Sequence, residues 1–290
     1  MTELSIVIVN YKSWESLENC IDSILNGNFI KLELIVVDND SNDNKIDHFK
    51  TKYRTVKWIE NNFNYGFSKA CNIGASISCS EWILFLNPDT EIPKNCLNKL
   101  MKKVQNTKNT IYSIKQLKKK NKDTHAYGIF LNLYSVNGIF RFLYRLFHGM
   151  SKENVSKRLS FSPHWISGSF FLIRKQEYKK LGGWDEDFWM YYEDMDMCKR
   201  ANKININTLI FNDIHCYHYH GKSSRINFKT KINSKTQVLK SSMIYINKHF
   251  NGYYAQILKF LILSSKIIEL IILSLFIKEK RILLKKILKI

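Results

Sequence analysis

Short apolar runs alternate with amphipathic stretches through the first third of the chain. Apolar side chains dominate at 4–9, 32–37, 56–59 and 81–86, and polar residues follow each run. Continuous apolar runs of this length are typical of strands that are buried on both faces of a parallel sheet. The stretches between them, such as 68–78, predict helices that cover those faces. The pattern therefore predicts an α/β fold with a mostly parallel central sheet.

The middle of the chain, residues 101–160, has a less regular pattern. Lys115–Lys122, with the sequence KQLKKKNK, predicts a solvated loop that carries no chemistry. Ile129–Phe147 is apolar and aromatic with interspersed arginines, and it predicts a helix at a lipid or partner surface. Strand character returns at Trp165–Arg174 and again at 206–219.

From Phe228 onwards the pattern is helical, with a strongly apolar stretch at Ala255–Ile277. Its longest unbroken run of apolar residues and serine, 270–277, has eight residues and is too short to cross a bilayer. Residues 278–290 continue as a basic amphipathic segment. This pattern favours a helix in the plane of a membrane interface, with packing on its own domain as the alternative. Five polar residues fall within one arc of the apolar stretch: Gln256, Lys259, Lys266, Glu269 and Ser274.

Composition adds one strong feature, the charge. The chain has 290 residues, 45% of them hydrophobic, which allows a full core, and its formal net charge is +20. A protein with a pI near 9.6 usually has one of three acidic partners: nucleic acid, an anionic membrane surface or a phosphorylated substrate. No nucleic-acid-binding motif is present, so we expect no nucleic-acid partner. The basic residues concentrate at 115–122 and 278–289.

The cysteines and the N-terminus predict a cytoplasmic protein. Six cysteines are scattered without a C-x-x-C pair, which argues against both a zinc cluster and a disulfide framework. This usage favours a reducing compartment. The N-terminus enters a strand-like run at once and has Glu3 where a secretory signal would be positively charged, so we expect no such signal.

The stretch from Gly182 to Arg200 is acidic in an otherwise basic chain, since six of its nineteen residues are Asp or Glu. In a helix, Glu193 and Asp196 would share a face while Asp194 points elsewhere. Carboxylates crowded beside aromatic rings are partly desolvated, which raises a pKa and makes a candidate general base. The alternative is an acidic helix N-terminus that favours the macrodipole, with the aromatic residues as core.

Polar residues also stand at the carboxyl ends of three predicted strands, at 10–11, 38–40 and 87–89. Ligands of open α/β sheets bind outside such strand ends, so we expect a nucleotide there. Neither a G-x-G-x-x-G after the first strand nor a P-loop sequence is present. The sequence therefore disfavours a dinucleotide-dependent dehydrogenase and a P-loop nucleotidase.

Six sequence motifs follow one another along residues 7–224. They are VIVNYKS at 7–13, VVDNDS at 36–41, NYGFSKACNIG at 64–74, FLNPDT at 85–90, GGWDEDFWMYYEDMDMCKR at 182–200 and HYHGKSS at 218–224. In this order they resemble the motifs of the family 2 glycosyltransferases and, within them, of the rhamnosyltransferase-like branch. The resemblance implies a GT-A fold, a nucleotide-sugar donor, a divalent metal ion (Mg²⁺ or Mn²⁺) and inversion at the anomeric carbon.

The resemblance places the metal ion at Asp89. A sugar nucleotide leaves as a diphosphate, whose growing negative charge calls for a cation held by hard oxygen ligands. Asn87 stands where the family often has the first Asp of a D-x-D motif, so Asp89 would carry most of the coordination. His218 fits the spacing H-x-x-G-x-S better than His220, and we predict His218 as a further metal or diphosphate ligand.

The resemblance places the donor nucleotide along the strand ends and on the loop that follows the third strand. Tyr11 can pack on a pyrimidine ring, and residues 38–40 offer acceptors to the base and the ribose. For Asp38 helix capping is the alternative role. Lys69 would act as a point charge towards the diphosphate. The predicted donor-binding residues are Tyr11, Asp38, Asn39, Asp40, Asn64, Gly66, Lys69 and Asn87.

Inverting transfer needs one base that takes the proton from the acceptor hydroxyl during in-line attack. Asp194 matches the family's base. Trp184, Trp189 and Tyr191 offer faces for stacking on a sugar ring, with buried packing as an equal alternative. Asp185 and Glu186 would orient the loop or contact acceptor hydroxyls, and Gly168 indicates a bulge or a close approach of the backbone to a ligand. The predicted acceptor or sugar contacts are Gly168, Trp184, Asp185, Glu186 and Glu193.

We expect a GT-A catalytic domain at 1–225, with its nucleotide-binding half at about 1–100, and a helical basic extension at 226–290. The leading hypothesis is a transferase, peripheral on the inner face of the cell membrane, that extends a glycan linked to a lipid such as a polyprenyl diphosphate. The resemblance suggests dTDP-rhamnose, and UDP- or GDP-hexoses are alternatives. Two rival hypotheses are a nucleotidyltransferase, whose glycine- and lysine-rich phosphate loop is missing, and a catalytically silent membrane-associated scaffold.

Overall fold

The computed structural model describes residues 3–29, 31–118, 122–124, 126–136, 158–219, 221 and 228–288. Its strands are β1 (Leu4–Asn10), β2 (Leu32–Asp38), β3 (Lys57–Glu60), β4 (Trp82–Leu86), β5 (Thr90–Glu91), β6 (Thr110–Leu117), β7 (Tyr127–Gly128), β8 (Ser160–Phe161), β9 (Trp165–Ile166), β10 (Phe170–Arg174) and β11 (Asn207–His218). Its helices are α1 (Trp14–Leu25), α2 (Ile46–Lys52), α3 (Phe67–Ser76), α4 (Cys96–Val104), α5 (Lys175–Lys180), α6 (Glu193–Lys203), α7 (Phe228–His249), α8 (Gly252–Ser274) and α9 (Lys278–Ile287).

One mixed sheet forms the centre of the fold. β1 pairs in parallel with β2 and β4, and β2 pairs in parallel with β3. β10 runs antiparallel to β4 and β6, and β11 runs parallel to β6. The strand order is β3-β2-β1-β4-β10-β6-β11-β5, with β8 paired to β11. The register aligns Asn10 with Asp38, so the carboxyl ends of β1 and β2 meet at one edge.

Both faces of the sheet are buried, as the apolar runs predict. Leu4, Ile6 and Ile8 of β1 pack on one face with residues of α1, α2 and α4. Val7 of β1 and Phe85 of β4 pack on the other face with residues of α3, α5 and α6. Because side chains alternate along a strand, a single continuous apolar run supplies both cores.

The three C-terminal helices pack against the rest of the chain and against one another. Tyr245 and Ile246 of α7 and Leu258 of α8 share a cluster with Leu131 and Phe188. A further cluster joins α7, α8 and α9, and it consists of Ile232, Leu239, Leu270, Leu283 and Ile287. The predicted boundary between residues 225 and 226 falls outside the described residues. Within the described ranges, no helix has the combined length and apolar content that a membrane span requires.

Most predicted elements are confirmed. The strands predicted at 4–9, 32–37, 56–59, 81–86 and 206–219 correspond to β1, β2, β3, β4 and β11, each within one residue at either end. The helix predicted at 68–78 is α3, and the helical pattern after Phe228 is α7 to α9. All six cysteines are free thiols, as their spacing predicts.

The predicted loop at Lys115–Lys122 is wrong over its first part. β6 continues to Leu117, and the Gln116 side chain is buried. The physical reason is the position of β6, which lies between β10 and β11 in the sheet, so that its neighbours cover residues that look solvated in the sequence. Residues 119–121 lie outside the described residues.

Two further predictions need correction. Trp165–Arg174 forms two strands rather than one, because β9 pairs with β7 whereas β10 pairs with β4 and β6. The turn at 167–169 between them lets the chain pass from one pairing to the other. The helix predicted at Ile129–Phe147 is absent from its described part, 129–136, which forms a turn, and 137–147 lies outside the described residues.

Candidate active site

The first turn of α6 presents Asp194 in a geometry that suits a base. Its Oδ2 accepts a hydrogen bond from the Gly168 amide at 3.2 Å, and its Oδ1 accepts one from the Met195 amide at 2.8 Å. Asp194 keeps partial exposure, whereas Glu193 and Asp196 are buried. This arrangement confirms the prediction that Glu193 and Asp196 share a face while Asp194 points elsewhere.

The backbone that enters α6 is constrained. Tyr191 has φ of 71° and Tyr192 has φ of 67°, both in the left-handed region. This region costs of order 1–3 kcal/mol for a residue other than glycine, so it persists only where the surrounding structure holds it. Two consecutive aromatic residues in this conformation make a sharp entry into α6. The entry sets the direction in which the helix starts and therefore the direction of Asp194.

Burial raises the pKa of both carboxyl groups at the start of α6. For Asp194 the effect of burial exceeds that of the hydrogen bonds from Gly168 and Met195, which act in the opposite direction, and the pKa is about 6. For Glu193 burial and the neighbouring charge of Asp194 raise the pKa well above its ordinary range. An acidic cap that only favoured the helix macrodipole would have a lowered pKa. The raised values favour the general base over the cap.

The pKa of Asp196 is shifted in the opposite direction, below its ordinary value. Burial alone would raise its pKa, but the hydrogen bond with His249, the charge of Arg200 and the hydrogen bond with Lys248 lower the pKa to about 2. Its Oδ1 lies 2.7 Å from His249 Nε2 and 2.8 Å from Lys248 Nζ. Its Oδ2 accepts a hydrogen bond of 2.7 Å from Arg200 Nε. Asp196 is therefore an ionised anchor rather than a proton acceptor.

Asp89 and His218 face each other inside the fold. The His218 Nε2 atom lies 3.3 Å from Asp89 Oδ1, and both side chains are buried. The His218 Nδ1 atom lies 2.8 Å from Gln116 Oε1, which also accepts a hydrogen bond of 2.9 Å from Ser169 Oγ. A glutamine oxygen only accepts, so His218 Nδ1 is the donor in this contact, and the bond holds the imidazole with its Nε2 atom towards Asp89.

This pair fits a divalent cation whose other ligands come from a diphosphate. A carboxylate oxygen and the nitrogen of an imidazole whose other nitrogen is hydrogen-bonded are both common metal ligands. Mg²⁺ in particular is commonly held by one or two carboxylates together with substrate phosphates. No group of three or more His, Cys, Asp or Glu that could hold a metal ion occurs within the described residues. The protein side chains described would thus supply only part of a coordination shell.

The turn at 167–169 connects Asp194 to the Asp89–His218 pair. The Gly168 amide donates to Asp194, while Ser169 Oγ donates to Gln116, the partner of His218. The Ser169 carbonyl accepts a hydrogen bond of 3.1 Å from the Asn87 amide, at the start of the turn that carries Asp89. One three-residue turn therefore fixes both halves of the site relative to each other.

The loop after β3 folds around the Asn39 side chain. Asn39 Nδ2 donates to Asn64 Oδ1 at 3.0 Å and to the Gly66 carbonyl at 3.1 Å, and its Oδ1 accepts from the Tyr65 amide at 3.1 Å. Gly66 has φ of 84°, and a Cβ there would lie 2.3 Å from the Trp189 carbonyl oxygen. Only glycine fits at this contact between the loop and the acidic stretch.

Asp38 closes its own turn. Its Oδ1 accepts a hydrogen bond of 2.9 Å from Asn10 Nδ2, and its Oδ2 accepts one of 3.0 Å from the Ser41 amide. Burial raises its pKa. Helix capping is therefore wrong for Asp38, because the next helix, α2, begins only at Ile46. The carboxylate instead accepts the Ser41 amide and closes the turn at 38–41.

The remaining predicted donor residues lie near this edge with part of their surface exposed. Tyr11, Asp40 and Asn87 are each partly exposed. The Lys69 Nζ atom lies 4.6 Å from the centre of the Tyr65 ring and 3.8 Å from Glu186 Oε2. Lys69 is thus paired with a carboxylate of the acidic stretch, and both side chains stay partly exposed.

Comparison with known proteins decides the family. The family described as "Glycosyl transferase family 2" matches residues 5–192, well over half of the chain. The chain belongs to this family. The matched range contains the strand ends, the Asn39 loop and Asp89, and it ends just before Asp194.

Curated relatives of this family 2 chain act on glycans. It is 30% identical over 71% of its length to the low-salt glycan biosynthesis hexosyltransferase Agl10 of Haloferax volcanii. It is 25% identical over 64% of its length to the rhamnosyltransferase WbbL of Escherichia coli. These alignments cover 64% and 75% of the two relatives, so the chain spans slightly less than two thirds of Agl10. It is also 25% identical over 65% of its length, covering 57% of the relative, to the GalNAc(5)-diNAcBac-PP-undecaprenol beta-1,3-glucosyltransferase of Campylobacter jejuni.

Solved structures confirm the GT-A fold. The crystal structure of GalNAc-T7 with UDP, GalNAc and Mn²⁺ aligns with a TM-score of 0.58 at 16% identity, covering 76% of this chain and 44% of that one. The crystal structure of Staphylococcus aureus TarS 1-349 in complex with UDP-GlcNAc aligns with a TM-score of 0.54 at 15% identity, covering 91% of this chain and 71% of that one. At these identities the likeness concerns the fold.

The family 2 transferase keeps Trp184 inside its core. This residue is only 1% exposed, and its ring centre lies 5.2 Å from that of Phe85 and 4.8 Å from that of Phe171. Stacking of a sugar on Trp184 is therefore wrong, because the ring is buried among core side chains and leaves no exposed face for a ligand. Trp189 is 36% exposed, and its Nε1 donates to the Asn64 carbonyl at 3.3 Å.

Asp185 and Glu186 orient the acidic stretch, as predicted for one of their two roles. Glu186 Oε1 accepts a hydrogen bond of 2.9 Å from Asn72 Nδ2 of α3. Asp185 pairs with Lys248 of α7. Each carboxylate thus ties the stretch to a different helix. Contact with acceptor hydroxyls stays a prediction for both residues.

Sequence reasoning missed four residues that support the transferase site. They are Asn72, Gln116, Ser169 and His249, and each contributes a side chain hydrogen bond to a site element. An apolar run leads into the lysine-rich segment and indicates a buried strand. Extending that strand to Leu117 in the prediction would have identified Gln116 as a buried residue. No local signal marks His249, because its partner Asp196 becomes a neighbour only through the packing of α7.

Proposed function

We propose that this protein is an inverting, metal-dependent glycosyltransferase that moves a sugar from a nucleotide-diphosphate donor to a hydroxyl of a lipid-linked cell-surface glycan. The observation that carries the proposal is the set of bonds from the 167–169 turn, which joins Asp194 to the Asp89–His218 pair. A single partly exposed carboxylate with a raised pKa supports inversion, because direct displacement requires one base and no enzyme nucleophile.

Asp194 would take the proton of the acceptor hydroxyl while that oxygen attacks the anomeric carbon. The bond from that carbon to the diphosphate breaks on the opposite side, and the diphosphate leaves with the electron pair. The amide of Gly168 holds Oδ2 in place during this transfer. Asp89 and His218 would hold a divalent cation, Mg²⁺ or Mn²⁺, which neutralises charge on the departing diphosphate.

We assign the donor nucleotide to the edge formed by Tyr11, residues 38–40 and Asn87. The Lys69–Glu186 pair supports a role for Lys69 at the diphosphate. Both side chains are roughly half exposed and their charged atoms lie 3.8 Å apart, which makes a weak pair. A diphosphate carries more charge than one carboxylate, so Lys69 would exchange Glu186 for the donor.

For the transferred sugar we propose rhamnose, in line with the relative WbbL, which is a rhamnosyltransferase. A UDP- or GDP-linked hexose is the second candidate. It is favoured by the hexosyltransferase Agl10 and by the UDP-GlcNAc in the TarS structure. The Campylobacter relative is a glucosyltransferase that acts on a glycan linked through PP to undecaprenol, and this supports a lipid-linked acceptor.

We further propose that the C-terminal helices hold the enzyme on the inner face of the cell membrane. At 100° per residue, the buried residues of α8 (Ala255, Leu258 and Leu270) lie on the side that faces α7 and α9. The opposite side of α8 forms an apolar stripe in solvent. Tyr253 is 90% exposed, Phe260 is 68% exposed and Leu275 is 70% exposed. The stripe consists of Tyr253, Ile257, Phe260, Ile268, Ile271 and Leu275.

The charge beside this apolar stripe matches an anionic bilayer surface. The exposed face of α9 carries Lys278, Arg281 and Lys285. Basic residues near an anionic leaflet contribute about 1 kcal/mol each to membrane attraction, and the apolar stripe would enter the boundary between headgroups and acyl chains. The inner leaflet is the anionic one and faces the cytoplasmic pool of nucleotide sugars.

Calorimetric titration of UDP, dTDP and GDP, each with and without Mn²⁺, tests the proposed function. We expect one nucleotide to bind wild type only with the metal ion and to lose that binding in Asp89→Ala. Absence of binding for all three nucleotides under both conditions would favour a catalytically silent scaffold. Binding that is equal with and without Mn²⁺, and equal in Asp89→Ala, would remove the metal from the proposal.

A further inference from the structure

We infer that helix α7 is the positioning element of the base: Ser241, Lys248 and His249 hold the segment 190–196 in the conformation that aims Asp194 at its substrate. The inference rests on the proposed function, because it takes Asp194 as the base. It goes beyond the family match, since that match ends at residue 192 and α7 begins at Phe228.

The first contact holds the segment from the side of α6. The Asp196 carboxylate is fully buried and lies 2.7 Å from His249 Nε2 and 2.8 Å from Lys248 Nζ. The His249 side chain is itself 1% exposed. Within α6 only Arg200 completes the set, through its bond to Oδ2. A buried carboxylate needs such partners to stay charged. Two of the three partners of the Asp196 carboxylate, His249 and Lys248, belong to α7, so the first turn of α6 depends on α7.

The second contact holds the segment from the other side of Asp194. The Ser241 hydroxyl, fully buried, donates a hydrogen bond of 2.7 Å to the Met190 carbonyl oxygen. Tyr245, one turn further along α7, packs its ring 5.6 Å from the ring of Tyr192. Tyr191 and Tyr192 between these points have left-handed backbones. Such a conformation persists only where its surroundings hold it, and α7 supplies those surroundings.

The base itself has few bonds of its own. The side chain bonds of Asp194 go to the amides of Gly168 and Met195. Its place relative to an acceptor hydroxyl therefore follows from where α6 begins and how the chain enters it. Because α7 fixes residues on both sides of Asp194, loosening α7 contacts would displace the carboxylate while leaving the sheet and the donor edge intact.

Lys248 has a second contact with the acidic stretch. Besides Asp196, it pairs with Asp185 at the beginning of the acidic stretch. One lysine thus joins both ends of the segment that contains the aromatic run and the base. The lysine side chain is 31% exposed, so its removal disturbs the core less than removal of His249.

The test compares Ser241→Ala, Lys248→Met, His249→Leu and His249→Gln with wild type, and uses Lys240→Met as a matched control. Lys240 lies on the same helix, is exposed and stands outside these contacts. For each variant the turnover number, the KM of the acceptor, the nucleotide affinity and the thermal melting curve are measured. A merely structural role would lower the folded fraction and leave the turnover number per folded molecule unchanged.

We expect Ser241→Ala, Lys248→Met and His249→Leu to lose about tenfold to a hundredfold in turnover number, the scale of a misplacement near 1 Å, with nucleotide affinity unchanged. His249→Gln keeps a hydrogen bond donor and is expected to recover most of the loss, and Lys240→Met to match wild type. Turnover numbers equal to wild type in all four variants would overturn the inference, and so would a loss explained by the folded fraction.

The proposed function fails in a distinguishable way. If Asp194→Asn keeps most of its turnover, Asp194 is not the base and the proposed function is at fault, whatever the α7 variants do. If Asp194→Asn is inactive while Ser241→Ala, Lys248→Met and both His249 variants turn over normally, Asp194 remains the base and the inference that α7 positions it is wrong.

Discussion

The His218 Nε2 atom lies 3.3 Å from the Asp89 Oδ1 atom, and each side chain is about 1% exposed. The sheet brings the two together, since β11 pairs antiparallel with β5 and places His218 opposite Thr90, next to Asp89. Gln116 of β6 then fixes the imidazole from the other side. The relative position of the Asp89 and His218 side chains is thus set by strand pairing.

Replacing Gln116 by Leu is expected to weaken Mn²⁺-dependent nucleotide binding by about 10- to 100-fold. Without the amide oxygen, His218 Nδ1 loses its acceptor, and the ring loses the hydrogen bond that orients it. Calorimetric titration of the nucleotide with Mn²⁺ measures the effect. Gln105→Leu is the matched control because Gln105 is exposed. Equal affinities in the two variants would mean that Gln116 does not orient a metal ligand.

Asp194→Asn is expected to lower turnover by orders of magnitude while leaving nucleotide affinity near normal. An amide has the shape of the carboxylate but cannot take the proton of the acceptor hydroxyl. Steady-state rates and nucleotide titration with the same preparation separate the two effects. Asp187→Asn is the control, because it makes the same change at an exposed residue of the same stretch. Substantial turnover in Asp194→Asn removes this residue from the role of base.

The pH dependence of kcat/KM should show an acidic limb near pH 6. The base acts as a carboxylate, and burial raises the pKa of Asp194 to about 6, so the active fraction rises with pH through that value. An ordinary aspartate would place the limb near pH 4. Rates at saturating metal ion and donor between pH 4.5 and about 8 measure it. A flat profile down to pH 4.5 would contradict the desolvated base.

Asp194→Asn should also change the pH dependence of stability. A carboxyl group whose folded pKa is raised is destabilising when ionised, so the cost is fully present above pH 6 and disappears below the ordinary pKa. The asparagine amide can accept only one of the two backbone hydrogen bonds, and this loss is the same at every pH. The effect of Asp194→Asn on the free energy of unfolding should therefore be about 1–3 kcal/mol more stabilising at pH 8 than at pH 4. Urea unfolding at both pH values measures the difference. An equal change at the two pH values would show that desolvation of Asp194 is not the cause.

Serine substitutions in the apolar stripe of α8 test the membrane proposal. Phe260→Ser with Leu275→Ser is expected to reduce binding to vesicles that contain anionic lipid, because both side chains project into solvent. Sedimentation with vesicles of phosphatidylglycerol and phosphatidylcholine measures binding, and Leu25→Ser, at an exposed position of α1, is the control. Unchanged binding would remove the stripe as the lipid contact. Deleting residues 255–290 is a poorer test, since it also removes Ala255 and Leu258 from a shared core.

Much of the sheet could be predicted because its strands are continuous apolar runs. β1, β2 and β4 appear in the sequence almost residue for residue, since burial on both faces favours apolar side chains at successive positions. β6 could not be predicted to its end. Its lysines suggest solvent, yet its neighbours β10 and β11 cover Gln116, and that pairing is invisible in the local sequence.

The sequence by itself determined the α/β class, the polar strand ends, and the family to which the motifs belong. It also made Asp89, His218 and Asp194 candidates, since they stand at the matching positions of the family's motifs. Only the tertiary structure decided that Trp184 is core, that Asp38 caps its own turn, and that His249 anchors the helix of the base. These are contacts between segments far apart in the chain. They depend on burial and strand pairing, which are properties of the folded molecule as a whole.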